Sequence, residues 1–164
     1  MDYENWYRRE SFYYFTKIAP TTYSLTSNLD VTSMKKTINE NGLKFFPSFL
    51  WLTTTLINRQ IEFRVAIKDN QVGYHSFLIP FYPTFHEEDH SISMLWTEYS
   101  PSLLEFHQRY CDNQHLYGSN KGFLAIRDKV PPENAYTISL IPWQSFSSFS
   151  ISTTSPHPYF FPSI

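Results

Sequence analysis

Ile141-Pro142-Trp143-Gln144-Ser145-Phe146-Ser147-Ser148-Phe149 sets hydroxyls among aromatic rings just beyond a run with strand alternation. A hydroxyl in such a place can donate a hydrogen bond to negative charge developing on a carbonyl oxygen. It assists a reaction that another group must start, by removing a proton or by attacking. Ser148 is the candidate: in a strand it would share a face with Phe146, while Phe149 and Ile151 point the other way. Its alternative role is local, a serine satisfying its own backbone at a strand edge. Beyond Phe149 stand one histidine, His157, flanked by Pro156 and Pro158, and no acidic residue. His157 reads as a surface-loop residue.

Two further groupings have the residue types of a reaction centre. His86-Glu87-Glu88-Asp89-His90 matches H-E-x-x-H. In that pattern a helix turns two imidazoles to one zinc ion, with the glutamate beside a metal-bound water. Here Pro80 and Pro83 precede the motif and alternating Ile92, Met94 and Trp96 follow it. Those flanks predict strands joined by an acidic loop, and no metal site. His107 and Cys111 stand one turn apart on a predicted helix, the spacing of a thiol–imidazole pair. No third group orients them, and a Cys of this kind packs as a small apolar residue. His75 and His115 have no clear partner.

The elements that must position these groups follow from apolar spacing. Asn5 is a cap for a first helix through Trp6, Phe12 and Phe15, ending before Pro20. Residues 22–26 and 29–31 read as extended. A short helix through Met34 and Ile38 closes at Gly42. Pro47 suits the first turn of a helix carrying Phe46, Phe49, Leu50, Leu56 and Ile57. Phe63, Val65 and Ile67 alternate into a strand that turns at Asp69-Asn70 and returns through Val72-Gly73-Tyr74. Strands are expected at 81–85 and 91–96, then a helix opened by Pro101 and carrying Leu103, Phe106, His107 and Tyr110. A polar connection over 118–134 leads to a strand from Tyr136 to Leu140.

This is a mixed α/β (α+β) pattern with adjacent antiparallel strands, in 164 residues that fit one domain, residues 1–164. Aromatics at 19% require a core of packed rings, and no internal repeat is present. A net charge of −2 offers no basic stripe for nucleic acid. No GxGxxG or phosphate loop occurs, and four glycines in all leave little to build one. One cysteine forbids an intrachain disulfide, and no signal peptide or membrane span is visible, so a cytoplasmic protein is expected.

Several segments, in order, resemble the chloramphenicol acetyltransferase family (type A). They are residues 5–12 (Asn-Trp-Tyr-Arg-Arg-Glu-Ser-Phe), 22–26, 43–47, 62–69, Phe85-His86, 95–99, 132–134, and Ile141-Pro142-Trp143 through Ser148-Phe149. The resemblance implies a mostly antiparallel sheet packed with helices, the two-layer sandwich of CoA-dependent acyltransferases, assembling as a homotrimer. It implies transfer of acetyl from acetyl-CoA to a hydroxyl of chloramphenicol, giving antibiotic resistance, with no metal. In the family a serine stabilises the oxyanion, and Ser148 occupies its place. Arg8 matches an arginine that pairs with the aspartate of a His-His-x-x-x-Asp-Gly motif and so holds the general-base histidine. Phe15 and Tyr23 keep the aromatic character of the acceptor pocket, and His86 matches a histidine in a turn between strands.

The departures shape the expectation. His-His-x-x-x-Asp-Gly does not occur in the sequence, whose last residue, Ile164, stands where the family continues into a Thr-Met-Gly-Lys-Tyr-like strand. The domain is therefore expected to be C-terminally incomplete and to transfer little acetyl by itself. The alternative is an inactive or truncated relative that binds a ligand or joins mixed oligomers. Phe146-Ser147-Ser148-Phe149-Ser150-Ile151-Ser152 stands where relatives carry Phe-Asp-Ser-Phe-Asn-Leu-Asn. In the acceptor pocket Thr21 replaces a cysteine, Pro83 a threonine and Ile92 a phenylalanine, which puts the acceptor's identity in question.

Overall fold

The computed structural model describes residues 2–69 and 71–148. Its helices are α1 (Arg9–Tyr13), α2 (Thr32–Glu40), α3 (Phe45–Arg59) and α4 (Leu103–Tyr117). Its strands are β1 (Val65–Lys68), β2 (Gln71–Tyr74), β3 (Ile79–His86), β4 (Ser91–Trp96) and β5 (Ala135–Thr137). β1 and β2 form an antiparallel hairpin, turned at Asp69 with φ 51°. The second sheet has the order β4-β3-β5, with β3 antiparallel to β4 and parallel to β5. The mixed α/β class thus holds, with one parallel pairing in an otherwise antiparallel set.

The core lies where α3 and α4 cover the larger sheet. Leu50 and Ile57 from α3, Phe106 from α4, Tyr82 from β3, Leu95 from β4, and Tyr136 and Ile138 from the β5 run form one buried cluster with Leu78 and Ala125. Spacings of four and three put Leu50, Thr54 and Ile57 on one face of α3, which is why that face is buried. The ring packing that composition demanded is there: Phe46 meets both Tyr82 and Tyr110 edge-on, at 5.7 and 5.9 Å. Buried hydroxyls are paired, as burial requires. Thr54 Oγ1 donates to the Leu50 carbonyl and lies 2.8 Å from Tyr136 Oη; Tyr82 Oη lies 2.7 Å from Thr97 Oγ1. Asn58, at the end of α3, grips the start of β3: its amide donates to the Leu78 carbonyl and accepts from the Leu78 N–H.

Several boundaries differ from expectation. Asn5 caps no helix; its N–H and amide donate to Asp2, and α1 starts at Arg9 and passes into a π turn over Tyr14–Ile18. The alternation at Phe63 does not make a strand there, because Ile61–Arg64 form a 3-10 turn continuing from α3. Ser102, not Pro101, caps α4: its Oγ accepts from Glu105 N–H, while Glu105 accepts from Ser100 Oγ at 2.6 Å. The connection over 118–134 is not all polar surface. Leu124 bridges to Met94, and Ala125 and Ile126 are buried, so this loop supplies core. Residues 22–31 carry no regular secondary structure and pair with no strand among the described residues, and Val31, with φ −102° and ψ 12°, is not extended. No helix among the described residues is long and apolar enough to cross a membrane.

Candidate active site

Ser148 rides on an arm that leaves the sheet at Ile138. Ile138 is fully buried and its N–H donates to the Phe81 carbonyl at 3.0 Å, one bond past the end of β5. Pro142 and Trp143 then turn the chain. The Trp143 ring lies against Phe85 of β3, centroids 5.5 Å apart and planes at 36°. Phe85 is the cross-strand partner of Ile92 on β4, and the His90 ring sits 6.0 Å from it. The arm and Ile92 therefore meet at the same end of the β3–β4 hairpin, through Phe85. Ser148 itself is exposed, and its hydroxyl makes no hydrogen bond to another described residue. The strand expected through Phe146 and Ser148 is not formed; residues 141–148 are turn, bend and irregular chain. Phe149, Ile151 and His157 lie outside the described residues.

Arg8, Phe15 and Tyr23 make no hydrogen bond, ion pair or ring contact with this end of the hairpin among the described residues. Arg8, at the N-cap of α1, donates from a guanidinium nitrogen to Glu62 Oε1 at 3.3 Å and lies over the Tyr7 ring. Phe15, 52% exposed, sits in the π turn against Tyr14. Tyr23 is 91% exposed on the irregular segment before α2, and Ile92 is 52% exposed. No ring contact, hydrogen bond or ion pair joins Arg8, Phe15 or Tyr23 to Ser148 or Ile92 among the described residues. Each is presented at the surface instead.

The competing constellations resolve into structural roles. In His86–His90 the first imidazole closes β3 and is buried, Nε2 at 2.9 Å from Ser93 Oγ, and the other four residues form a turn. Lys121 holds that turn, at 2.7 Å from Asp89 and 3.8 Å from Glu88. Its ammonium, with the Ser91 hydroxyl, keeps the Asp89 carboxyl well below the usual range. Among the described residues no three potential ligands converge on a metal position. His107 Nε2 accepts the Lys44 N–H at 2.9 Å, which requires the lone pair on that nitrogen. The neutral ring then carries its proton on Nδ1, which faces Cys111 Sγ at 3.8 Å. A nitrogen already protonated cannot take the thiol's proton, so the pair is not an activated nucleophile.

Burial pushes Tyr110 up to about 12 and raises Tyr82 and Tyr136 as well, so these phenols stay neutral donors. Two shallow surface hollows are lined by His75, Ser76, Phe77, Glu133 and Asn134, about 260 Å³, and by the loop from Tyr117 to Lys129, about 320 Å³. Neither contains a sequence-predicted site residue. Sequence reasoning missed Phe85 as the partner of Trp143, and Glu62 as that of Arg8. Only the aromatic type of residues 85 and 143 signalled the first of these.

The matches with known proteins agree across the chain's length. The family model described as chloramphenicol acetyltransferase matches residues 1–164. A chloramphenicol acetyltransferase of Campylobacter coli is 38% identical over 163 residues, covering 99% of this chain and 76% of that protein. One of Proteus mirabilis is 35% identical over 162 residues, covering 99% and 73%. A solved chloramphenicol acetyltransferase superposes with a TM-score of 0.81 over 99% of this chain and 78% of its own; at 19% identity it speaks for the fold.

Proposed function

The chain belongs to the chloramphenicol acetyltransferase family, which makes it an acyltransferase by descent, and we propose that it serves acetyl transfer from acetyl-CoA to a hydroxyl of chloramphenicol or a related small molecule in the cytoplasm. In that reaction the acceptor oxygen attacks the thioester carbonyl as a base removes its proton. The carbonyl oxygen becomes an oxyanion, and collapse expels the CoA thiolate. Ser148 donates its hydroxyl hydrogen to the oxyanion, strongest where charge is greatest. Arg8 is a positioning group. Phe15, Tyr23 and Ile92 line the acceptor pocket, which is completed between subunits of a trimer; their shared exposure, far from one another's contacts, supports that reading.

The observation that carries the proposal is the family match over the whole length at up to 38% identity. Its test is CoA thiol release in the presence of chloramphenicol by the full natural polypeptide. Ser148→Ala is expected to lower kcat by roughly 100- to 1,000-fold with little change in KM. An unchanged kcat removes Ser148 from the reaction. Residues 1–164 contain no His-His-x-x-x-Asp-Gly, so no base of that kind is available from them. A polypeptide of these residues alone is therefore expected to turn over little. The replacements around Ser148, where Ser147, Ser150 and Ser152 stand for an acid and two amides of relatives, favour a second reading, binding of CoA or an apolar ligand without turnover, including within mixed trimers. Calorimetry with a CoA analogue lacking a transferable acetyl group separates the two: heat of binding without thiol release supports the second.

A further inference from the structure

We propose that Trp143 is a positioning residue for acetyl transfer: docked on Phe85, it holds the Ser148 arm at the Ile92 end of the β3–β4 hairpin. This rests on Ser148 as the oxyanion donor. Ser148 lies ten residues beyond Ile138, the last arm residue bonded to the sheet backbone, and five beyond Trp143. An extended chain spans at most ~3.5 Å per residue, so the tether allows Ser148 about 35 Å from Ile138 but about 17 Å from Trp143. Halving a flexible tether raises the effective concentration at its end by roughly threefold. The ring pair favours the docked arm by a further 2- to 12-fold, roughly.

Three features make the contact an anchor and not a chance touch. Pro142 fixes the backbone φ immediately before the ring and narrows the free arm's conformations. Phe85 is itself held in place, as the cross-strand partner of Ile92 and the neighbour of His90. Trp143 remains 67% exposed, so it adds little to the core, and truncating it disturbs the arm more than the fold. The docked ring rests on Phe85, the cross-strand partner of Ile92, which links the anchor to the end of the hairpin where Ile92 stands.

The test uses the full natural polypeptide. Trp143→Ala is expected to lower kcat by roughly 6- to 36-fold, the tether and ring effects together, with KM for acetyl-CoA little changed. Trp143→Phe restores most of the rate. In a Ser148→Ala background Trp143→Ala should have no further effect, because the anchor acts only through that hydroxyl. An equal loss in both backgrounds, or Trp143→Ala matching wild type, overturns the proposal. Fluorine NMR with 5-fluorotryptophan reads docking without turnover: the resonance lost in Trp143→Phe should move in Phe85→Leu while Tm holds. An unmoved resonance overturns the anchor. Failure of Ser148→Ala to lower kcat sinks the oxyanion assignment instead, and the fluorine resonance still decides the docking.

Discussion

The lone pair that His107 gives to the Lys44 N–H is the one a catalytic base would need free. Burial and the neighbouring Lys44 ammonium both lower the His107 pKa, and burial lowers that of His75. Each ring is thus protonated less readily in the folded chain than in the unfolded one, whose histidines titrate near 6.5. Stability from these groups is complete above about pH 6.5 and is lost as pH falls through the depressed folded values. Urea midpoints should therefore decline on going from pH 7 to 5.5, and His107→Gln, which keeps an acceptor but no titration, should flatten the decline. An identical slope in that variant removes His107 as a cause. Arg8 makes a contrasting case. Its pair with Glu62 is half exposed, so Arg8→Ala should shift stability by less than about 1 kcal/mol. Loss of kcat from that variant would thus report on the site. Aromatic flanks put Ser148 forward as a candidate and the family resemblance gave it a role; Trp143's partner was not legible, because Phe85 is 58 residues away in the chain.

At the scale of elements, Pro83 shows how an unpromising residue fits a strand. It pairs with Met94, whose N–H and carbonyl are spent on Phe123 and Ala125 on the outer side of β4. That makes Pro83–Met94 a non-hydrogen-bonded pair, with the missing proline donor turned away from β4. β5 ends opposite Phe81, so no strand among the described residues asks for the donor on that side either. The same bonds explain why the loop before β5 was misread: its polar residues hid the short apolar run that lies along β4. Helices were easier to read, since Leu50, Thr54 and Ile57 repeat on one face in any environment. The 3-10 turn at Ile61–Arg64 escaped notice because alternation over so few residues does not distinguish it from a strand. Leu50, fully buried at the centre of the cluster, should cost about 2–5 kcal/mol as Leu50→Ala, measured by chemical unfolding. A loss under 1 kcal/mol would mean that the α3 interface collapses around the gap.

For the whole molecule, the mixed class was readable from periodicity, while the helix layer over the sheet and the assembly came only from the family resemblance. Tyr23, Leu25 and Leu29 stand exposed on a segment without regular secondary structure that joins no sheet among the described residues. The proposed trimer gives that apolar surface a destination. Sedimentation of the full natural polypeptide should show three copies at micromolar concentration, and Leu25→Asp should yield monomers. A wild-type monomer would count against an interfacial pocket.

β5 has a consequence in time as well as in space. His86 and Ser91 close the β3–β4 hairpin across five positions, whereas Ile79 and Ala135 meet across 56. Loop-closure entropy makes the second event dearer by about 2 kcal/mol. On a growing or refolding chain the hairpin with Phe85 is therefore ready first, and the parallel strand with its arm arrives late. The residue assigned to the chemistry is among the last to be put in place, onto a surface already built to receive it.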